Sequence, residues 1–479
     1  MQQNILVAIL LFVTSVNTAD SDGKDFIFSF IADVKVYSPD IITAVIVIPS
    51  FNDSSCTFKY TQTSDNQIFT IIKNATFGKT NEISFNYKEI LLETSYLGNY
   101  VNNVPGKDFR IFATCTEEVK LIGRISYYTE GWGEHFLIPS IQNAGNKYIF
   151  GTPSGYLYPK GSITIMPIVQ KEFITINIVG YLNGLKVSNE TVQYDTSIGQ
   201  NQNYITVQTI DFHYNKNLTI IITGTSPIML SYASYYTAPN NVDDKECGKT
   251  CYPNYVSFMP MPVVSKKCNS LLSHPDQRMI THDFTKRLYI SPPNVDLNCD
   301  ETFSIDVYNK DNINGNIEII NTVGLSSFEL KNTSEIALST YSGQMPMYRL
   351  GSFHNEPDYL TAYGLFAHYV PSVKEWVTGK TQFYTLAKKC YLEFYTDADG
   401  SNIDFIKVDG LILKKYDVKL NKMNYFGTTF GHFIMPLDGY GLHTFENNGK
   451  YVLYVLCQNV NSAFDGAGYL TGFNKRNVN

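Results

Sequence analysis

The residues with the clearest chemical meaning in this sequence are its cysteines, which are even in number. An even set in an oxidising compartment is typical of disulfide bonds, although the order of the residues does not give the connectivity. Spacing suggests that Cys56 pairs with Cys115 and Cys390 with Cys457, each closing a loop within one half of the chain. Cys247 could pair locally with Cys251, or each of these two could pair with Cys268 or Cys299. The full set is Cys56, Cys115, Cys247, Cys251, Cys268, Cys299, Cys390 and Cys457.

Two segments contain residue types that bind metal ions in other proteins. Zinc needs clustered ligands with paired short spacings, and only Cys247 and Cys251 stand that close together, so zinc is not favoured. The segment Asp397–Asp404 places several carboxylates around Gly400 and could bind calcium through oxygen atoms. It lacks the spacing of an EF-hand, and a solvated hairpin tip that uses Asp and Gly is the preferred interpretation. We therefore predict no metal and no other cofactor.

Motifs for catalysis are missing from the sequence. There is no Gly-x-Ser-x-Gly turn, no His-Glu-x-x-His helix and no Gly-x-x-x-x-Gly-Lys loop. The histidines are dispersed, and His368, inside an aromatic strand, is interpreted as a hydrogen-bonded structural residue. Trp132 and Trp376 could form a sugar-binding platform, but packing in the core or across strands is favoured. Two carboxylates for glycoside hydrolysis can come from anywhere in a fold, and no pattern selects a pair.

The first residues indicate the compartment of the protein. An apolar run from Ile5 to Val16 follows the initial Met, and Thr18 and Ala19 are small. This is the pattern of a secretory signal peptide, residues 1–19, cleaved after Ala19. The run is shorter than the ~20 residues that span a bilayer, and no second run of spanning length follows. A secreted, extracellular protein without a membrane span is therefore predicted.

The predicted location bears on glycosylation, and the net charge bears on the classes of partner. Several Asn-x-Ser/Thr sequons become candidate glycosylation sites behind a signal peptide. They are Asn52, Asn74, Asn189, Asn217 and Asn332. The net charge of −7 and the lack of basic runs argue against nucleic acid and against anionic membrane surfaces as partners.

The elements that must position these residues are predicted to be β-strands. The chain has 35 Tyr and 30 Phe but only 17% charged residues, a composition that suits pleated, half-buried surfaces. Ile174, Ile176 and Ile178 alternate with polar residues, whereas the apolar runs 218–222 and 451–456 are typical of buried central strands. The best helix candidate is the segment 87–96, which could also be a strand. Turn signals punctuate the strands at Asn183-Gly184, Asp399-Gly400, Asp409-Gly410, Asp438-Gly439 and Asn448-Gly449. This pattern predicts an all-β fold of tandem antiparallel β-sandwich-like units.

A loose internal repeat supports a modular build. A strand of small and aromatic residues, followed by an apolar strand, recurs about every hundred residues, as sandwich domains would. The copies are 124–129 with 135–139, 227–236 with 255–260, 362–371, and 451–456 with 468–472. We divide the chain into the signal peptide 1–19, a β-rich lead-in unit 20–130, a region 131–473 of two or three sandwich units, and a polar tail 474–479. A Cys-rich connection lies near 238–299.

The same blocks carry a family resemblance. In order, they are 132–150, 218–236, the close cysteine pair, 258–262, 441–444, 451–456 and 468–472. Together they resemble the N-terminal domain of the IgGFc-binding proteins, known from mucus-associated secreted glycoproteins, over roughly residues 130–473. The resemblance implies a β-rich extracellular domain without catalytic activity. The sequence shows none of the Cys-dense von Willebrand-type modules that often accompany this domain, so gel formation is not carried over. Immunoglobulin binding is not carried over either, because no motif for it is present.

These observations predict a secreted glycoprotein that acts as an extracellular binding or structural module, associated with mucus or matrix. Its partner would be an extracellular protein or glycan, and it would not be an enzyme. The alternative is an extracellular carbohydrate-active enzyme of β architecture. A deep cleft with two facing carboxylates would favour the enzyme.

Overall fold

The computed structural model shows a chain built almost entirely from β-strands. Strands hold 63% of the described residues and helices 3%, which confirms the predicted all-β fold of several antiparallel units. Residues 1–17 of the predicted signal peptide, Cys247, and the sequons at Asn217 and Asn332 lie outside the described residues, and Cys251 is described by its backbone alone. The described residues are 18–32, 41–94, 99–129, 131–153, 160–208, 218–237, 250–251, 254–296, 298–330, 333–354 and 361–475. Within these ranges, no helix combines the length and apolar character that crossing a membrane requires.

The first unit, residues 23–138, is a seven-stranded sheet organised around one long strand. Its elements are β1 (Gly23–Phe28), β2 (Phe30–Ala32), β3 (Ile41–Pro49), β4 (Ser54–Thr61), β5 (Ile68–Ala75), β6 (Glu82–Phe85), α1 (Tyr87–Ile90), β7 (Leu91–Glu93), β8 (Val101–Gly106), β9 (Ile111–Tyr127) and β10 (Trp132–Ile138). The order is β5-β4-β9-β3-β6, with β1 and β10 also on β9. β2 and β7 form a small parallel pair, and β8 joins the sheet of the second unit.

The predicted helix at 87–96 is only one turn long. Asn86 caps this turn, because its side chain accepts a hydrogen bond from the Lys88 backbone N–H. The chain becomes extended at Leu91, where Leu91 and Leu92 are buried in strand β7. Because Leu91 and Leu92 are buried in an extended strand, the helix ends at Ile90.

The second unit, residues 145–258, repeats the plan. Its elements, preceded by a 3-10 turn at Ile141–Asn143, are β11 (Gly145–Gly151), β12 (Lys160–Pro167), β13 (Phe173–Leu182), β14 (Leu185–Asp195), β15 (Gln202–Gln208), β16 (Leu218–Thr237), β17 (Thr250–Cys251) and β18 (Asn254–Phe258). The sheet order is β14-β13-β16-β12-β15-β8, with β11 and β18 on β16. Ile174, Ile176 and Ile178 on β13 are buried, as their alternation predicts.

The third unit, residues 276–369, consists of two smaller sheets. Its strands are β19 (Asp276–Thr281), β20 (Thr285–Ile290), β21 (Phe303–Asn309), β22 (Asn312–Ile320), β23 (Ser326–Glu329), β24 (Glu335–Thr340), β25 (Met347–His354) and β26 (Thr361–Tyr369). One sheet has the order β17-β26-β25-β20-β23 and the other β19-β24-β21-β22. β18, β19 and β20 show that the Cys-rich segment near 238–299 contributes strands to two units.

The fourth unit, residues 377–470, returns to the plan of the first two. A 3-10 turn at Val373–Glu375 precedes it, and a second lies at Leu413–Lys415. Its strands are β27 (Val377–Thr385), β28 (Lys389–Thr396), β29 (Lys407–Val408), β30 (Leu411–Ile412), β31 (Lys419–Tyr425), β32 (Thr428–Asp438), β33 (Gly441–Gln458) and β34 (Gly466–Leu470). The order is β30-β29-β33-β28-β32-β31, with β27 and β34 on β33.

The long strands β9, β16 and β33 explain the sequence repeat. The first half of each long strand pairs with an earlier strand, which is β1, β11 or β27. The second half pairs with the strand that follows it in the repeat, which is β10, β18 or β34. These following strands meet at the centre of the molecule. There β10 packs against β18 and β34, and β26 of the third unit also packs against β18 and β34. One strand from each unit thus contributes to a closed central ring.

Hydrophobic cores run across the boundaries between the units. Ile46, Ile48 and Ile122 of the first unit pack into the core of the fourth. Tyr289 and Leu350 of the third unit pack into the core of the second. The four units are therefore parts of one packed body, not separate beads.

Some turn signals were interpreted correctly and others were wrong. Asn183-Gly184 and Asp409-Gly410 close two-residue hairpins with all four φ angles positive. Asn448-Gly449 lies inside β33, so the predicted turn there is wrong. Asp399-Gly400 lies in a loop between β28 and β29, which both pair with β33, so the predicted hairpin tip is also wrong. A Cβ on Gly449 would lie 2.2 Å from the backbone nitrogen of Gly400, so glycine there allows the loop to pass close to the strand.

Three disulfides are present among the described cysteines. Cys56–Cys115 joins β4 to β9 and Cys390–Cys457 joins β28 to β33, which confirms the two predicted pairings. In each case the cysteines face each other directly in the strand register. Cys268 pairs with Cys299, so neither is bonded to Cys247 or Cys251.

Candidate ligand-binding cleft

A cleft opens where the first and fourth units meet. The two ends of the described chain are joined there: the Ser21 N–H donates to the Phe473 carbonyl at 3.0 Å, and the Phe473 N–H donates to Ser21 Oγ at 3.1 Å. The cleft has a volume of about 210 Å³. The loops after β3 and β5 form one wall and β27 forms the other, while β9, β33 and the segment after β34 supply the floor.

Two exposed phenylalanines border the cleft on the side of the first unit. Phe51 and Phe77 are 41% and 40% exposed. Their loops are tied together, because the Phe77 N–H donates to Asp53 Oδ1 at 2.8 Å. Apolar rings next to a cleft offer contact area that a ligand can bury.

The floor contains a buried ion pair between Lys120 and Asp22. Lys120 Nζ lies 3.2 Å from each carboxylate oxygen of Asp22, and the two side chains are 4% and 7% exposed. Burial raises the pKa of Asp22, and the attraction of Lys120 only partly opposes this effect. The Asp22 carboxyl therefore holds a proton more readily than an exposed aspartate.

Two oxygen atoms beside the cleft have no hydrogen-bond partner within the described protein. They are Ser50 Oγ, after β3, and Gln382 Oε1, on β27, and both are buried. Tyr451 OH, in contrast, donates to the Gly379 carbonyl at 3.3 Å. A buried polar atom without a partner costs about 1–3 kcal/mol, so these two oxygens lower the stability of this junction. The exposed rings make the cleft suited to a ligand with an apolar body.

A second buried ion pair lies where the third and fourth units meet. Arg349 Nη1 donates to Glu393 Oε2 at 2.5 Å, and both side chains have no exposure. Tyr395 OH donates to Glu393 Oε1 at 2.9 Å, and His432 Nε2 lies 3.4 Å from the same oxygen. Burial alone would raise the pKa of Glu393, but Arg349 and His432 together lower it to about 2. This junction contains a carboxylate whose charge is fully stabilised.

A third polar cluster lies at the central ring. Glu134 Oε1 accepts the backbone N–H groups of His135 and Gly468 at 2.9 and 3.1 Å. Asp465 accepts from the Asn254 side chain at 3.0 Å, and burial raises its pKa to about 6. Glu134 and Asp465 are 0% and 2% exposed, so a ligand cannot reach them without opening the ring.

The predicted glycosylation sites fall near the cleft and along strand edges. Asn52 directly follows Phe51, and Asn74 lies on β5, three residues before Phe77. Asn189 lies on β14, and all three asparagines are exposed. Glycans at the first two positions would flank the mouth of the cleft.

The Asp397–Asp404 segment binds its own chain through several of its oxygens. Asp397 Oδ1 accepts the Gly400 N–H at 2.8 Å, and Asn402 Oδ1 accepts the Asp404 N–H at 3.0 Å. Asp404 Oδ1 lies 3.7 Å from Lys414 Nζ. The clustered carboxylates therefore serve local loop geometry. Cys268, Cys299 and Glu301 also lie close together, but the two sulfurs are bonded to each other.

The aromatic and histidine candidates have structural surroundings. Trp376 is 2% exposed, and Trp132 stacks on Tyr255 with the ring centroids 4.9 Å apart, so the two do not form a platform. His368 is buried, and its Nδ1 accepts a hydrogen bond from Arg349 Nε at 3.3 Å. This contact confirms the prediction of a hydrogen-bonded structural histidine. The residues that line the cleft were missed, because neither their types nor their spacing forms a motif.

Comparison with known proteins gives no relative for this chain: no family model matches it, and no match is found among the curated proteins. The fold and the cleft define a class only, namely a disulfide-bonded all-β protein of four sheet units with a cleft between the first unit and the fourth. Function must be inferred from the residues of this chain.

Proposed function

We propose that the protein is a secreted glycoprotein that binds an extracellular ligand in the cleft between its first and fourth units. The cleft itself carries this proposal, since it combines about 210 Å³ of space with the exposed rings of Phe51 and Phe77. Three disulfides support an oxidising location, as does the signal-peptide pattern of residues 1–19. The exposed sequons at Asn52, Asn74 and Asn189 support glycosylation.

Binding is favoured over catalysis by the charges in the cleft. Asp22 is the one carboxylate among the residues that line it, and Lys120 holds both of its oxygens. Glycoside hydrolysis needs two carboxyl groups facing the scissile bond. The resemblance to the IgGFc-binding protein N-terminal domain adds support, because that family is associated with extracellular recognition and mucus-like structure.

An extracellular carbohydrate-active enzyme is the second candidate. The observation that favours it is the raised pKa of Asp22, since a general acid must hold its proton at the working pH. Besides burial and Lys120, the charge of Glu118 contributes to that pKa, so a second carboxylate lies within electrostatic range. Asp22 would then be the proton donor and Glu118 its partner.

The experiment uses the secreted, oxidised protein and a panel of purified glycans and extracellular proteins. The double variant Phe51→Ala/Phe77→Ala should bind the ligand at least about tenfold more weakly, since each lost ring contact is worth on the order of 1 kcal/mol. A matched control is Phe173→Ala/Phe405→Ala, which truncates two rings that are 83% and 60% exposed and lie outside the cleft. Equal affinity of both variants would contradict binding in the cleft.

Turnover of panel members separates the two candidates. We expect no turnover by the wild-type protein. Turnover that disappears in Asp22→Asn, with the folded structure intact, would assign the protein to the enzyme class.

A further inference from the structure

The last two residues of the predicted signal peptide lie in the cleft. Thr18 and Ala19 line it, and both are partly buried. Thr18 Oγ1 donates to Glu118 Oε2 at 2.8 Å, and the Ala19 carbonyl accepts the Asp22 N–H at 2.8 Å. The uncleaved chain therefore shows how the cleft holds a dipeptide, through one side-chain and one main-chain hydrogen bond.

The methyl group of Ala19 lies in a confined place. A Cβ on Gly472 would stand 3.0 Å from the Ala19 Cβ and 3.4 Å from Lys120 Nζ, so the glycine leaves room for this methyl group. Ala19 also packs against the hydrophobic core of the fourth unit. A close glycine backbone and a packed core favour a small side chain at this position.

The chain that follows the cleavage point is held by contacts of its own. Asp20 Oδ2 accepts the Lys475 N–H at 2.7 Å, and the Asp20 carbonyl accepts from Asn143 Nδ2 at 3.0 Å. Removal of residues 18 and 19 breaks neither bond. It takes from the Glu118 carboxylate and from the Asp22 N–H the partners that these two residues supply. Cleavage therefore opens a site of the same shape as the dipeptide that leaves it.

We propose that the mature cleft binds the C-terminus of a peptide that ends in a hydroxyl-bearing residue followed by a small residue, in the place of Thr18 and Ala19. This inference rests on the proposed function, because it requires export and cleavage after Ala19. Hydrolysis of the Ala19–Asp20 bond by signal peptidase consumes one water molecule. It leaves a carboxylate on Ala19 and an ammonium group on Asp20, so the ligand has the same end group as the released fragment.

The ammonium group of Asp20 requires the bound chain to end in the cleft. It stands where the next residue of a longer chain would begin, so an internal peptide segment has no path through the site. A terminal carboxylate can instead form an ion pair with this ammonium group and accept the Asp22 N–H. Charge-assisted hydrogen bonds are about twice as strong as neutral ones, and capture of a C-terminal carboxylate by backbone N–H groups is an established mode of peptide recognition.

The test compares two secreted, oxidised forms of the chain, which begin at Asp20 and at Asn17 and are produced behind a foreign signal peptide. The probe is a synthetic hexapeptide with the sequence of residues 14–19 and a free C-terminal carboxylate. The form that begins at Asp20 should bind it. The longer form should bind it at least about tenfold more weakly, because its own tethered residues 18 and 19 occupy the site at a high effective concentration.

Changed peptides test the contacts one at a time. A C-terminal amide should weaken binding about tenfold, and the Thr18→Val peptide, which keeps the shape but loses the hydroxyl, about fivefold. The protein variant Glu118→Ala should bind the threonine and valine peptides equally. Its matched control is Glu117→Ala, which removes an exposed carboxylate 3.7 Å from Lys24 Nζ and should keep the preference for threonine.

The outcomes separate this inference from the proposed function. Equal affinity of the two chain forms, equal affinity of the carboxylate and amide peptides, or a naturally secreted chain that retains Ala19 would overturn the inference. A panel ligand that depends on Phe51 and Phe77, together with no binding of the hexapeptide, would overturn the inference and leave the proposed function intact. Absence of both kinds of binding would overturn the two together.

Discussion

The two junctions of the fourth unit each contain a buried ion pair, and they are built in opposite ways. Arg349–Glu393 joins the third unit to the fourth, whereas both partners of Lys120–Asp22 belong to the first unit or directly precede it. At the third–fourth junction, Arg349 and Glu393 lie in a closed, fully buried network. At the first–fourth junction, Lys120 and Asp22 lie at the floor of an open cleft. Arg349 also donates to Thr285 and His368, whereas the first–fourth junction leaves Ser50 Oγ and Gln382 Oε1 without partners.

The two buried carboxylates have pKa values that are shifted in opposite directions. Burial raises both, but around Glu393 a guanidinium, a histidine and a tyrosine hydroxyl converge, and the pKa falls to about 2. Around Asp22 one ammonium and the distant Ser21 hydroxyl, at 3.4 Å, do not overcome burial, and the pKa stays raised. The comparison shows that the number of donors around a buried carboxylate decides whether the site serves stability or is left available for binding.

The largest effect is expected from breaking the closed junction. Arg349→Met removes the cation and leaves Glu393 buried, which should lower the free energy of unfolding by about 3–5 kcal/mol. Denaturant unfolding of the secreted protein measures this change, and Lys120→Met is the matched variant at the open junction. A loss at Lys120→Met as large as that at Arg349→Met would show that the two pairs are equivalent.

The pH dependence of stability should differ in sign between the two acids. The folded pKa of Glu393, about 2, lies below its ordinary value of 4.5, so its contribution is complete above that value and disappears as the pH falls to about 2. The loss is on the order of 3 kcal/mol. Asp22 has a raised folded pKa, so its contribution is complete below its ordinary value of 3.8 and decreases as the pH rises through the folded pKa.

Subtracting mutant from wild-type curves isolates each acid. The difference between wild type and Glu393→Gln should decrease as the pH is lowered, and the difference for Asp22→Asn should increase. Two slopes of the same sign would contradict the contrast between the junctions.

The third effect is the cost of removing Lys120. Lys120→Met should lower the free energy of unfolding by about 1–2 kcal/mol at neutral pH, less than a fully satisfied pair loses, because Asp22 can take up a proton. The cost should shrink as the pH is lowered towards 4, since protonation removes the charge that Lys120 neutralises. A cost that stays constant over this range would mean that Lys120 acts through packing of its methylene chain.

Much of the architecture could be predicted because strand signals are local. The alternation of Ile174, Ile176 and Ile178 and the apolar run 218–222 correspond to an amphipathic strand and a central strand, respectively. The repeat predicted a modular build, which the long strands β9, β16 and β33 provide. The turn predicted at Asn448-Gly449 was wrong because Gly449 allows the backbone of Gly400 to pass close to β33. This contact joins distant parts of the sequence, so no local pattern indicates it.

The sites could not be predicted, because their residues come together only through the fold. Asp22 and Lys120 are 98 positions apart, and Arg349 and Glu393 are 44 apart. Neither spacing belongs to a motif, and isolated Lys, Asp, Arg and Glu residues are usually solvated. Two of the three disulfides were the exception, since each joins two cysteines that lie within one half of the chain.

The smallest effect concerns single polar atoms and has opposite signs at the two junctions. Ser50→Ala removes a buried hydroxyl that bonds to no described protein atom, so stability should stay unchanged or rise by up to about 1 kcal/mol. Tyr395→Phe removes a hydroxyl that donates to Glu393 and also accepts from the Thr281 N–H, so stability should fall by about 1–3 kcal/mol. Denaturant unfolding resolves both values. The two substitutions remove the same kind of atom, so the difference between them measures whether a hydroxyl has partners at its junction. If Ser50→Ala destabilised the protein as much as Tyr395→Phe, the Ser50 hydroxyl would be a structural group, and the contrast between the open and the closed junction would be wrong.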